Sequence, residues 1–335
     1  MAERLVRWFA WCCLIVVLLT WLAIALLGDR AWWTVLLLFG PRWVLSLPWL
    51  GVVPWLLVDL KRALIPALAG LAICLFGLMG FHLGLHRANV NTGVPFRVLE
   101  LNADGAVGVA RAPDILAEIH AQHPDLIVIA ECEPELVQAL KGLTEYNEQS
   151  TNYRGLCLYS RGAIVSWDQR DQRDLWKQSG AGYIVRAVVS TPAGPVRIGL
   201  VHLATPRHAL DSYFDLSELP KQGPNTLANM ALRDEESSLA RQWIISGPTL
   251  PTIIAGDFNL TADGAIYKQH WGDLRNAFGR AGWGTGYTKH TRRWGVRIDH
   301  VLTSDDIGTH AAFTGRNVGS DHLPLIADLV LPPKR

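Results

Sequence analysis

Six short stretches of the chain carry side chains able to do chemistry: Leu101-Asn102-Ala103-Asp104-Gly105, Ala130-Glu131, Val201-His202-Leu203, Gly256-Asp257-Phe258-Asn259, Ile298-Asp299-His300 and Ser320-Asp321-His322. Each falls on an apolar run or where one meets a loop. The stretch 251–259 is the most pointed. Thr252 to Ala255 read as a short buried strand that breaks at Gly256, with Asp257 and Asn259 at its mouth. An acid at the end of a buried strand is rigidly held yet reaches solvent, which a hydrolytic metal centre requires. Alone, Gly-Asp-Phe-Asn is equally a tight turn, because turns favour these residue types. Glu131 closes a continuous apolar run, 124–130, that reads as a strand buried on both faces. A carboxylate there is costly unless it meets a cation or hydrogen-bond donors. Five such positions in one domain argue for convergence on a single cleft.

The elements that must position them are mixed. Alternating or continuous apolar runs predict strands over 96–101, 124–130, 155–161, 164–167, 183–190, 196–203, 297–303 and 325–331. Helical spacing predicts helices over 113–122, 135–140 and 227–245, the first opened by Pro113. A Pro-Ala-Gly-Pro turn joins 183–190 to 196–203 as a hairpin. By strand alternation His300 points opposite to Asp299 and reads as structural. Arg292, Arg293 and Arg297, with Trp294 among them, either steer an anionic substrate or form a solvated basic loop.

Composition divides the 335 residues in two. Residues 1–88 hold seven basic and three acidic side chains, leaving 24 basic and 27 acidic in the rest. The second part is long enough for one sizeable domain, and its slight acidity argues against avid, non-specific nucleic-acid binding. Eight of the fourteen tryptophans lie in the first 58 residues, where an aromatic belt would place them. Uncharged runs predict about three transmembrane helices, at 8–27, 43–58 and 63–82, with 31–40 at the interface, followed by a linker at 89–95 and a catalytic domain at 96–335. A cleaved signal peptide fits 8–27 poorly, because no small-residue cleavage site follows. Arg4, Arg7, Lys61 and Arg62 fall on one side of three spans, so the second domain is expected outside the cytoplasm, on a multi-pass inner-membrane protein. Cys12, Cys13 and Cys74 lie in apolar stretches. Cys132 and Cys157 fall on predicted strands and are read as buried free thiols rather than a disulfide.

As an ordered set, the six motifs resemble those of the endonuclease/exonuclease/phosphatase (DNase I-like) superfamily, over roughly 96–331. The resemblance extends to membrane-anchored bacterial members. It implies an α+β fold, a four-layer α/β/β/α sandwich, with the active site at one end. It implies hydrolysis of a phosphoester with a divalent cation, Mg²⁺ with Mn²⁺ as the second candidate. Carried over residue by residue, Glu131 is the main metal carboxylate, with Asn102 and Asp321 as further metal residues and Asp104 supporting. Asp257 positions or deprotonates water, Asn259 donates to a phosphate oxygen, and His322 completes the site as base or cation with Asp299 orienting it. His202 resembles a second catalytic histidine of the DNase I and sphingomyelinase branches. The tyrosine-asparagine motif of abasic-site nucleases has no match, which leans the substrate away from DNA repair. The expected function is a membrane-embedded, extracytoplasmic phosphoesterase acting on a lipid-linked or other phosphate. A secreted-side nuclease and a non-catalytic phosphate binder are the competing readings, and all the catalytic positions being filled argues against the latter.

Overall fold

The computed structural model describes residues 2–52, 60–151, 155–171, 183–207, 210, 219–291 and 294–334. Twelve strands build two large sheets: β1 (Val94–Asn102), β2 (Leu126–Cys132), β3 (Asn147–Ser150), β4 (Gly155–Ser160), β5 (Ile164–Asp171), β6 (Tyr183–Thr191), β7 (Gly194–His202), β8 (Thr252–Asp257), β9 (Arg275–Asn276), β10 (Asp299–Thr303), β11 (Gly308–Thr314) and β12 (Leu325–Leu331). The first sheet has the order β11-β12-β1-β2-β4-β3 and the second β9-β10-β8-β7-β6-β5. Only the central pairs β1–β2 and β7–β8 run parallel, and those two pairs carry site residues to a common end.

Residue parity explains the layering. Val98, Leu126, Val128 and Leu158 of the first sheet meet Val185, Ile198, Leu200, Ala255 and Val301 of the second in a core between the sheets. The odd positions Leu99, Ile127 and Ile129 face outward and bury against Ile115 and Ile119 of the helix Ala112–Gln122. Val201, Ile254 and Leu302 do the same on the second sheet, against Ala240 and Ile244 of the helix Leu219–Ile245 and against Trp271. Strands buried on both faces read as continuous apolar runs, which is why 124–130 shows no alternation. The result is the helix–sheet–sheet–helix sandwich expected. The run expected to break at Gly256 instead continues to Asp257: Gly256 sits at φ 143, where an added Cβ would lie 1.9 Å from the Val201 carbonyl oxygen, so only glycine lets the strand pass so close to β7.

Two further expectations are corrected. Cys132 and Cys157 are joined in a disulfide, with their Cα atoms 6.0 Å apart. The pairing of β2 with β4 slips between Ala130 and Cys132, a bulge that brings the two thiols together and that no pattern in the sequence announces. In the amino-terminal part, among the described residues, one helix, Ala2–Leu27, contains a stretch (Arg7–Leu27) long and apolar enough to cross a bilayer. Trp32–Phe39 and Arg42–Gly51 make at most one broken span, bent by 73°, and Leu64–Leu78 is shorter. About three spans thus become one, or two if the bent pair counts as one. Residues 53–58 of the expected middle span lie outside the described residues. The bend has a cause: Arg42 is fully engaged, giving hydrogen bonds to the carbonyls of Leu37, Leu38 and Leu78 and pairing with Asp263 at 2.6 Å. Close packing of Trp49 on Gly70, where a Cβ would stand 1.9 Å from the indole, knits these segments into their own small core.

This amino-terminal bundle docks on the sandwich by directed polar contacts. Asp29, buried, accepts the first N–H groups of the helix Ala265–His270, from Ala265 at 2.7 Å and Ile266 at 3.0 Å. The Trp294 indole donates to the Phe39 carbonyl and the Tyr287 hydroxyl to that of Met79.

Candidate active site

Strand register does most of the assembly. Asn102, the last residue of β1, lies beside Ala130 of β2, so Glu131 follows one step further at the same end. In the other sheet His202, Asp257 and Asp299 are direct cross-strand neighbours on β7, β8 and β10 and share one face. His322 enters from the loop before β12. The Ser320 hydroxyl donates to the Asn102 carbonyl at 2.8 Å and accepts the His322 N–H at 3.0 Å, tying that loop to the end of β1.

The carboxylate of Asp257 is the centre. Its Oδ2 accepts from Asn102 Nδ2 at 3.0 Å and lies 3.8 Å from both His202 Nε2 and His322 Nε2. Its Oδ1 accepts the Asn259 backbone N–H at 2.8 Å. Asn102 Nδ2 also donates to Glu131 Oε1 at 3.1 Å, and His202 Nε2 is 3.7 Å from that same oxygen. The Asn102 side-chain oxygen accepts the Asp104 N–H, so as placed Asn102 spaces two carboxylates rather than presenting its oxygen between them. Asn259 donates one amide hydrogen to the Leu203 carbonyl, and the other remains for an anion. Both oxygens of Asp299 accept from His322 Nδ1, at 2.8 and 3.0 Å, which turns Nε2 toward Asp257. Asp321 Oδ1 lies 3.7 Å from His322 Nε2, while its Oδ2 pairs with Lys289 and stands 3.7 Å from Arg207.

The electrostatics follow from burial and crowding. Burial, then the Asp299 charge, raises the Asp257 carboxyl above the usual carboxylate range. Burial would also raise Asp299, but the charge and hydrogen bond of His322 outweigh it and hold that carboxyl low. Burial alone would lower His322. The charge and hydrogen bond of Asp299, with Asp257 behind, push it up to about 8. Burial and then the charges of Asp321 and Glu131 raise Asp104. Negative charge is therefore under-compensated on the Glu131–Asp104 side, and the donors there are carboxylate oxygens, the set a hard divalent cation such as Mg²⁺ takes. Asp257, Asp299 and His322 also lie within 4.8 Å of one another, close enough to hold a metal. Asp299 and His322 already satisfy each other, however, so the Glu131 side fits a cation better.

Backbone strain gathers at the same place. Among the described residues four non-glycine residues have positive φ, and three of them, Asp104, Glu131 and Asn259, line this cleft. Such conformations cost about 1–3 kcal/mol each and persist where surroundings over-determine them. Here the Asn102 and Asp257 side chains each catch the N–H two residues on.

His300 is buried and structural as expected, with Nε2 on the Leu260 carbonyl and Nδ1 on Asn276. Arg297 fits neither alternative read for it, substrate steering or a solvated basic loop. It stacks over Phe278, donates to the Thr285 carbonyl and meets His82, all outside the cleft. Trp294 is spent on the bundle seam. Arg292 and Arg293 lie outside the described residues. Sequence reasoning missed Lys289, which bridges to His322 by backbone pairing and holds Asp321. Nothing in its two-residue strand, Lys289–His290, marked it. It also missed Glu100, fully buried on the inward face of β1, with neither oxygen partnered among the described residues and its carboxyl pushed well up by burial and by Asp299 and Asp257. A glutamate at an inward position of an apolar strand was the available signal.

Comparison with known proteins agrees with this fold. A family model described as "Endonuclease/Exonuclease/phosphatase family" matches residues 88–322. No curated protein matches the chain by sequence. Among solved structures, humanized D. rerio TDP2 carrying 14 mutations is 17% identical with a TM-score of 0.56, covering 70% of this chain and 98% of that one. D. rerio TDP2 complexed with a single-strand DNA product is 16% identical with a TM-score of 0.54, covering 70% and 99%. An endonuclease/exonuclease/phosphatase from Beutenbergia cavernae is 18% identical with a TM-score of 0.52, covering 71% and 72%.

Proposed function

The chain belongs to the endonuclease/exonuclease/phosphatase family, whose members are phosphoester hydrolases, typically metal-dependent, and from that premise we propose that it is a membrane-anchored phosphoesterase working outside the cytoplasm on a lipid-linked or other phosphoester. The observation that carries the reading is the convergence on one oxygen: Asp257 Oδ2 with Asn102 at 3.0 Å and two imidazole Nε2 atoms at 3.8 Å. Glu131 would hold a divalent cation, Mg²⁺ or Mn²⁺, with Asp104 and Asp321 close by. When bound, that cation neutralises charge on the phosphoryl oxygens.

The protein groups divide the remaining work. Asp257, its proton affinity raised by burial, orients a water and takes its proton as the water oxygen bonds to phosphorus. The phosphorus–oxygen bond to the leaving group breaks, and His202, whose Nε2 stands between Asp257 Oδ2 and Glu131 Oε1, gives its proton to the departing oxygen. His322, kept protonated by Asp299, presents Nε2–H to a non-bridging oxygen where charge develops. Asn259 donates its free amide hydrogen to a second such oxygen.

Anchoring is supported by α-helical surface that the bundle leaves bare: Trp8, Ile15, Leu19 and Leu26 of the first helix are exposed, as are Ile65 and Leu68. A bilayer would cover them. The Cys132–Cys157 disulfide supports an oxidising compartment for the sandwich. With Arg7–Leu27 as the single span, Arg4 and Arg7 at its amino-terminal end favour that end inside and so the sandwich outside.

The test is a panel of phosphomonoesters, phosphodiesters, isoprenoid pyrophosphates and plasmid DNA, assayed with and without chelator. Hydrolysis should require a divalent cation and vanish in Glu131→Gln and His322→Ala while both variants stay folded. Either variant turning over at near wild-type rate would remove the assignment. Cleavage of DNA alone would favour the nuclease reading, against the acidic balance of residues 89–335.

A further inference from the structure

A second concavity lies at the seam between the amino-terminal bundle and the sandwich. It encloses about 430 Å³, within the range of small-molecule sites. None of the cleft residues named above lines it. The bundle contributes Trp43, Leu78 and Met79, and the sandwich contributes Tyr287, Trp294 and Ala262. These walls are largely apolar, but three ionised side chains also border the space: Arg42, Arg297 and Asp263. Arg42 is spent on Asp263 and three carbonyls. Arg297 uses both terminal nitrogens, on Thr285 and His82, yet its Nε–H is buried with no partner among the described residues. Two guanidiniums and one carboxylate border the space, so the walls hold one positive charge in excess.

The cavity wall at Trp43 also continues onto apolar surface of the bundle. Trp43 is partly exposed, and Val44 and Leu47 of the same helical segment, Arg42–Gly51, carry bare apolar side chains outward from it. A ligand reaching this space from a membrane would bring an apolar chain along Trp43 and a polar end to Arg297. Its net charge should be −1, to match the walls.

We propose that the seam cavity binds a membrane lipid with a singly anionic headgroup, one per chain, with the headgroup against the net-positive wall at Arg42 and Arg297 and the chain against Trp43 and Leu78. The site rests on the membrane-anchored reading of the preceding section but not on the catalytic one. It does border the catalytic cleft: His290 lines the cavity and its N–H donates to the Asp321 carbonyl at 2.9 Å, one residue from Lys289.

The experiment is native mass spectrometry of the full chain in non-ionic detergent, with phosphatidylglycerol and phosphatidylcholine added in equal amounts. One phosphatidylglycerol should be retained per chain, with at least tenfold preference over phosphatidylcholine. Ala262→Phe, which fills the cavity from a position outside the cleft, should lose that lipid while divalent-dependent turnover of a soluble phosphodiester is unchanged. Arg297→Gln should keep a lipid but lose the preference for the anionic one. Equal retention of the two lipids by the parent, or undiminished phosphatidylglycerol in Ala262→Phe, would overturn the proposal. Should Arg297→Gln misfold, Ala262→Phe decides. Separate fractionation of cells expressing the full chain tests the anchored reading on its own: a chain found outside the membrane pellet would contradict that reading, whatever the lipid measurement shows.

Discussion

At the scale of single residues, the pairing of His322 with Asp299 sets the chemistry. Both oxygens of a fully buried carboxylate accept from one ring nitrogen, and the imidazole is held at about 8 rather than its ordinary 6.5. The folded state thus binds this proton more tightly than the unfolded chain. The sign is that of a raised group: the pairing contributes stability in full below about pH 6.5 and loses it as pH rises through about 8, a contribution on the order of 2 kcal/mol. In metal-free protein, nitrogen NMR of His322 should show titration near 8, and Asp299→Asn should move it below 6.5, because burial then acts with less opposition. An unchanged midpoint in that variant would show that Asp299 does not govern the histidine. Every residue named for this cleft was legible in sequence except Lys289, Glu100 and Arg207. The acids and imidazoles stood at ends of apolar runs, and that placement is a sequence property. Lys289 was not legible because a lone lysine in a short loop strand has no pattern, and its partner Asp321 comes from 32 residues away.

At the scale of elements, the bulge in β2 is the least legible feature and one of the most consequential. Periodicity reports which residues are apolar, not where a ladder slips by one. The slip puts Glu131 at φ 51 with its side chain toward the cleft, and sets Cys132 to bond Cys157 of the neighbouring strand. The disulfide clamps the bulge beside the proposed metal carboxylate. A cross-link closing a loop of this length contributes about 3 kcal/mol. Cys132→Ser with Cys157→Ser should therefore lower the thermal midpoint and weaken Mg²⁺ binding by several-fold, both read on the same preparation by calorimetry. A double variant with lowered midpoint but parental Mg²⁺ affinity would restrict the disulfide to stability. Gly256 shows the opposite case. A glycine before an acid reads as a strand end, whereas here the missing side chain is what lets β8 continue against β7 and deliver Asp257 in register with His202 and Asp299.

At the scale of the whole molecule, the question is how an apolar bundle and a hydrolytic sandwich come to form one body. The span count was the poorest reading from sequence, because uncharged runs with Pro41, Pro48 and Pro54 look alike whether they cross a bilayer or fold back. What hydropathy cannot show is that Arg42 and Asp29, ordinary interfacial charges by sequence, each tie the bundle to the loop and helix that follow β8. Asp29→Ala would leave two helix-starting N–H groups without their acceptor, at a cost of about 1–3 kcal/mol. Its thermal midpoint in detergent should fall measurably, while Asp114→Ala, an exposed pair on the far helix, should leave it unchanged. Equal midpoints for both variants would mean that the seam is not held by Asp29. The claim on which the rest depends is that two sheets deliver Asn102, Glu131, Asp257 and His322 to one cation-binding cleft. Titration of chelator-treated full chain with Mn²⁺, followed by electron paramagnetic resonance, measures this directly. The wild type should hold Mn²⁺ and release it to excess Mg²⁺, with affinity reduced at least tenfold in Glu131→Gln. Equal Mn²⁺ affinity in wild type and Glu131→Gln would contradict it.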